Sequence, residues 1–221
     1  MNSRLRVPAI MTLAMLAILI GLGIWQLRRL EWKRGILDHI DAAERSAAIP
    51  MPDAPGDFQK VRLEGHVRTD LEAFYAFEVR NGQPGAQLIV PVERPGKPTV
   101  LVDLGFVPDA APHPFPVDDR AVEGFIRPAE QASYFSGTDD LAHRHFYTLD
   151  PALIGKTLGL SNVAGYTLVA LAPAAPGQTP EPSHAMPRPP NDHLGYALTW
   201  FGFAVTLLII FFLYARKSQR S

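Results

Sequence analysis

Residues 193–214 read HLGYALTWFGFAVTLLIIFFLY, and this stretch decides the fold. From Leu194 to Tyr214 there are 21 residues without a charge, enough for a helix to cross a bilayer. Twelve of them are Leu, Ile, Val or Phe. At about −0.3 to −0.6 kcal/mol each, they favour insertion by roughly 4–7 kcal/mol before polar terms. His193 stands at the mouth of the segment. An ionisable ring at the lip of a membrane helix needs a partner, which makes it a candidate metal or haem ligand.

A second apolar run, Val7 to Leu27, also has 21 uncharged residues. It exceeds the apolar region of a signal peptide, and Gly21-Leu22-Gly23-Ile24-Trp25-Gln26 offers no Ala-x-Ala-like cleavage site, so an uncleaved anchor is expected. Between the spans lie 165 residues, Arg28 to Asp192, enough for one domain with its own core. The chain has 21 basic and 22 acidic residues, and the tails hold Arg4, Arg6, Arg216, Lys217 and Arg220 but no acid. Basic tails on one side of two spans predict cytoplasmic termini and a periplasmic domain, although Arg28, Arg29, Lys33 and Arg34 after the first span pull the other way. The few residues before Val7 are too short for a mitochondrial presequence, so the expected location is a bacterial inner membrane. There is no cysteine, which removes disulfides, covalent c-type haem attachment and thiolate copper sites.

The expected organisation has a transmembrane helix over 7–27, extended to 47 by Leu30, Trp32, Ile36, Leu37 and Ile40. The turn Pro50-Met51-Pro52-Asp53-Ala54-Pro55-Gly56 ends it. A β-rich domain follows over 57–171, read as an antiparallel sheet or small barrel of about seven strands with Thr99–Val107 most central. A short helix is expected between Pro151 and Leu160. Residues 172–192 are Pro- and Ala-rich and read as a plain tether back to the membrane, where the second transmembrane helix occupies 193–214.

Helical spacing from His193 places Tyr196 or Ala197, Trp200 and Ala204 along one face, a surface on which a macrocycle could stack on Tyr196 and Trp200 while the imidazole ligates its iron. On the first helix Trp25, Arg28 or Arg29, and Trp32 form a stripe at the same boundary, where guanidinium forks match carboxylates such as haem propionates. The plainer reading makes the aromatic rings an interfacial belt and lets the arginines snorkel to lipid phosphates. Gly21 and Gly23 are expected opposite Gly195, allowing close helix contact. In the domain, Asp139, Asp140, His143 and His145 match no standard zinc or calcium spacing, and Ser136 lacks a nucleophile elbow. No Gly-rich phosphate loop is present, and the acidic middle speaks against nucleic acid. Nothing in the sequence argues for an enzyme.

Pro190-Asn191-Asp192-His193-Leu194-Gly195-Tyr196-Ala197-Leu198-Thr199-Trp200 resembles the C-terminal signature of the Surfeit locus protein 1 family of cytochrome c oxidase assembly factors, and Leu22-Gly23-Ile24-Trp25-Gln26-Leu27 with Arg28 resembles its N-terminal one. Between them, Arg62-Leu63-Glu64-Gly65, Leu101-Val102-Asp103-Leu104-Gly105-Phe106-Val107-Pro108 and Glu123-Gly124-Phe125-Ile126-Arg127 resemble its core strands in the usual order. The resemblance implies two membrane helices, a domain on the outer face, and handling of haem a during its insertion into the catalytic subunit of the oxidase. It matches His193 to the family's membrane-border histidine, the expected ligand of the haem iron. The haem a biosynthesis enzyme is a second expected partner, beside membrane lipid. Leu104 and Phe106 stand where many members have Arg and Trp, and Asp192 where Asn is usual, so no role for that arginine carries over. Two readings from other classes stay open: a scaffold for the nascent oxidase subunit that binds no haem, and a copper carrier, for which His184-Ala185-Met186 is the one faint hint.

Overall fold

The computed structural model describes residues 3–112, 114–115, 121–134, 136–173, 175 and 177–220. It divides into two units, residues 1–41 with 188–221, and residues 42–187.

The first unit is a pair of helices, α1 (Ser3–Arg45, which runs on into the second unit) and α3 (His193–Arg220). Both are long and apolar enough to cross a membrane. Among the described side chains of α1 the buried positions are Leu5, Leu16, Leu19, Gly23, Gln26, Leu30 and Ile40, with the closely spaced set running from Leu16 to Leu30. Their spacing of three and four residues repeats as in a coiled-coil seam. Ala197 and Ala204 are the buried positions of α3, and Leu16 and Leu19 cluster with Ala204 beside Trp200 and Leu207. Small residues let the backbones approach, as membrane helices require in the absence of a hydrophobic drive between them. The contact is not between glycines, however. A Cβ on Gly23 would meet the Phe201 ring at 2.6 Å, whereas Gly21 and Gly195 face open space. The outer faces expose Ile10, Met11, Leu13 and Ile18 on α1 and Leu208, Ile209, Ile210 and Phe212 on α3, as lipid contact demands.

The second unit is built on a nine-stranded sheet. Its strands are β1 (Ile49–Pro50), β2 (Lys60–Leu63), β3 (His66–Val67), β4 (Ala73–Arg80), β5 (Gln83–Glu93), β6 (Thr99–Pro108), β7 (Val122–Pro128), β8 (His145–Phe146) and β9 (Val163–Ala170). The order is β1-β2-β7-β9-β6-β5-β4-β8, with β3 on β5, so β6 is central, as its apolar run foretold. The β-rich domain between two apolar helices stands as expected, but the sheet is mixed. β1–β2, β4–β8 and β6–β9 pair in parallel. A parallel pair needs a long crossover. Between β6 and β9 the chain passes through β7, β8 and the short helix α2 (Pro151–Thr157).

Alternation along β5 and β6 splits the core. Leu88, Val90, Val92, Val100 and Val102 face one side and join Val61, Leu63, Ile126 and Leu168. Ile89 and Leu101 face the other and join Phe146, Leu149, Ile154 and Leu158. The last two pairs bring in α2 and the segment before it. Asp150 caps that helix by accepting from the N–H groups of Ala152 and Leu153, and Pro151 occupies its first turn.

The β4–β5 hairpin closes on a two-residue turn, Asn81-Gly82. Arg80 already pairs with Gln83, and Asn81 and Gly82 supply the two positive φ angles, 51° and 78°. The expected tether is also more than a linker. Phe106 and Glu181 exchange two backbone hydrogen bonds of 2.8 Å, and the Ser183 N–H donates to the Ala170 carbonyl at 3.1 Å. Residues 181–187 thus form a strap across β6 and β9, and it buries Met186 to 2% exposure.

Candidate functional site

His193 opens α3 and is half-buried in the helix seam. Its Nδ1 lies 2.7 Å from Oε1 of Gln26, a residue 9% exposed on the facing helix. With an amide oxygen as acceptor, Nδ1 carries the proton and donates. The lone pair of the neutral ring then resides on Nε2, which makes no hydrogen bond among the described residues. Metal-ligating histidines are prepared in this way: the other ring nitrogen is tied, which fixes tautomer and orientation.

Along α3, Trp200 packs at the edge of the seam, edge-on to Phe203 at 6.1 Å between ring centroids. At 100° per residue, Tyr196 projects about 60° from His193 and about 90° from the Ala197–Ala204 seam, and it is 58% exposed. Tyr196, Trp200 and Phe203 therefore share one flank, with His193 at its border end. The backbone is held there by further contacts within the same helix pair: Lys33 Nζ donates to the Pro190 carbonyl at 2.5 Å, and Arg188 pairs with Asp41 at 2.8 Å.

Trp25, Arg28 and Arg29 do not join this group. The α1 seam runs through Gly23, Gln26 and Leu30, so helical geometry turns Trp25 and Arg28 to the opposite face and Arg29 to the flank, and all three are exposed. The Arg29 guanidinium instead lies over the Trp32 ring, 4.0 Å from its centroid. Trp25 and Arg28 thus do not face His193 within this helix pair, and the Arg29 guanidinium is engaged by Trp32. Gln26 was the residue that sequence reading passed over. The signal was available, since it is an amide near the end of the uncharged run from Val7 to Leu27, three residues past a glycine.

The other candidates are occupied elsewhere. His143 Nδ1 pairs with Asp140 at 2.7 Å, which holds that carboxyl below its ordinary value. His145 Nε2 contacts the Ala76 carbonyl at 2.6 Å and its ring stacks on Tyr147, while Asp139 accepts the Tyr147 N–H. Ser136 Oγ accepts the Ser133 N–H in a turn. His184 is bound through Nδ1 to the Ala172 carbonyl and through Nε2 to Glu181. With Met186 buried, the His184-Ala185-Met186 hint of copper loses its donors. Among the described residues no group of three or more His, Asp or Glu side chains is placed to hold a metal ion.

The SURF1 family pattern matches residues 13–205, from within α1 to within α3. The chain is similar to a SURF1-like protein of Rickettsia felis, 28% identical over 211 residues that cover 90% of this chain and 93% of that one. It is also similar to Surfeit locus protein 1 of Mus musculus, 23% identical over 87% of this chain and 70% of the mouse protein, and of Homo sapiens, 22% identical over 87% and 72%. The chain therefore belongs to the SURF1 family, known as cytochrome c oxidase assembly factors.

Proposed function

We propose that this protein binds haem a at the membrane border and assists its insertion into the catalytic subunit of cytochrome c oxidase. The observation that carries the reading is the Gln26–His193 hydrogen bond, which leaves Nε2 as the acceptor nitrogen at the end of an aromatic flank. His193 Nε2 would ligate the iron, and Tyr196 and Trp200 would shield one edge of the macrocycle from lipid and water. The farnesyl tail would lie along the apolar outer surface of the helices. Arg28 and Arg29, with Trp25, would contact phosphates and headgroups at the interface, because all three are exposed on the outer surface of α1. A carrier must release its cargo, so intermediate affinity is expected. The protein would sit in a bacterial inner membrane with both termini cytoplasmic and the sheet domain periplasmic, as its basic tails suggest. The oxidase catalytic subunit would receive the haem, and the haem a biosynthesis enzyme would supply it.

The test is to express the chain in cells that make haem a, purify it in detergent, and record the pyridine haemochrome spectrum of wild type and His193→Ala. Haem a in the wild type and much less in the variant supports the reading. Absence of haem from both would favour the scaffold. Equal haem in both would remove His193 as the ligand.

A further inference from the structure

The second face of the sheet is covered in two ways. Over Ile89 and Leu101 the cover is α2 and its flanks. Farther along the same face, the strap residues Ser183, Ala185 and Pro187 roof a cavity of about 330 Å3, at the lower end of the range for small-molecule sites. The register lays a row of side chains across its floor: Phe125 and Asp103 both pair with Val169, and Tyr75 pairs with Gln87.

Asp103 is 4% exposed and lines this cavity. Its Oδ1 accepts the Gly105 N–H at 3.0 Å, and its Oδ2 has no partner among the described residues. The neighbouring charges are already matched. Glu78 holds Arg80 at 2.7 Å and accepts from Gln87 Nε2 at 2.7 Å. Arg127 pairs with Glu130 and donates to the Tyr75 hydroxyl at 3.1 Å. Glu130 also accepts the Leu149 N–H. Asp103 is thus the carboxyl in this cavity without a cation of its own. A carboxylate held in a cavity of low dielectric is costly without a counter-charge, and an ammonium or guanidinium group is its strongest complement.

We propose that this cavity binds a small organic monocation, with its ammonium or guanidinium group on Asp103 Oδ2 and a short apolar body against Phe125, Val169 and Pro187. The site lies in the sheet domain and is a function beyond haem handling. Phosphates and carboxylates are excluded because Arg127 and Arg80 are already neutralised. Binding is linked to pH. Burial pushes the Asp103 carboxyl up to about 6, against the Gly105 N–H and the charges of Arg127 and Arg80, with Glu78 adding to the rise. An arriving cation favours the carboxylate, so a proton leaves as the ligand enters, and affinity falls as the pH drops below about 6.

Isothermal titration of the full-length protein in detergent tests this, with phenethylammonium, Nα-acetyl-lysine methylamide and the neutral isostere 2-phenylethanol as probes. Asp103→Asn is the informative variant, because an amide oxygen still accepts the Gly105 N–H. Expected are binding of both cations to the wild type at pH 7.5, a loss of about tenfold or more in Asp103→Asn and at pH 5, and an alcohol that binds both proteins alike and weakly. Tighter binding of phenethylammonium assigns a diffusible amine, and tighter binding of the lysine derivative assigns a lysine side chain of a partner. No binding of either cation at millimolar concentration overturns the proposal. So does equal affinity for ammonium and alcohol, or an Asp103→Asn variant that binds the cations as the wild type does.

Discussion

Gly105 is the position at which the strap and the central strand are locked together, and replacing it by alanine gives a calculable result. Its φ is +116°, a backbone region that side chains rarely enter, and holding a residue there costs about 1–3 kcal/mol. The added Cβ would also lie 2.0 Å from the Glu181 carbonyl oxygen and 2.6 Å from the Pro182 Cα, both backbone atoms that cannot rotate aside. Relief requires the strap to lift off β6. That breaks the two Phe106–Glu181 hydrogen bonds, worth about 1 kcal/mol each. The total is about 3–5 kcal/mol, and at roughly 2–4 °C per kcal/mol for a domain of this size the midpoint of thermal unfolding falls by about 10 °C. Gly82→Ala is the control. It has a positive φ of 78° but open space around it, so only the backbone cost of about 1 kcal/mol applies. Near-UV circular dichroism during heating gives the midpoint, and hydrogen exchange reads the Phe106 and Glu181 amides directly. A Gly105→Ala loss below about 1 kcal/mol, with both amides still protected, would refute this account of the strap.

Gln26→Leu removes the acceptor that fixes the His193 tautomer, and haem a affinity should fall by about 10- to 100-fold, read by titration of the apoprotein. Gly23→Leu drives a side chain into the Phe201 ring, separates the helices beside His193, and should lower haem occupancy while leaving the unfolding of the sheet domain unchanged. The Asp103 carboxyl sits near 6 in the folded protein against an ordinary 3.8, so the folded state holds its proton more tightly than the unfolded chain. Its contribution to stability is complete below about pH 4 and is lost as the pH rises to about 6, by up to about 3 kcal/mol. Asp103→Asn should therefore gain stability relative to the wild type between pH 4 and pH 7 in denaturant titrations. An unchanged difference across that interval would show that the carboxyl is not desolvated.

The features legible in the sequence are those written in local patterns. Uncharged runs mark α1 and α3, the apolar stretch Thr99–Val107 marks the central strand, and Asp150-Pro151 marks the start of α2. The parallel β6–β9 pairing escaped because a single short helix gives little sign of a crossover. The strap escaped because Pro-rich composition describes a stiff segment without saying what it lies on. The site divides in the same way. His193 was legible as a ring at the lip of a span, and Tyr196 and Trp200 followed from spacing on its own helix. The faces presented by α1 were not legible, since they depend on the rotation of one helix against another. That rotation brings Gln26 to His193 and turns Trp25, Arg28 and Arg29 outward.

The central claim is that His193 Nε2 is the atom that holds the cargo, and chemical rescue tests it most directly. His193→Gly, purified from cells making haem a, is titrated with imidazole while the absorption spectrum and haem content are followed. The account predicts that the variant carries little haem a, and that added imidazole restores both its binding and the wild-type spectrum, because a free ring fills the vacated ligand position. A variant that retains full haem a with an unchanged spectrum before imidazole is added would contradict it.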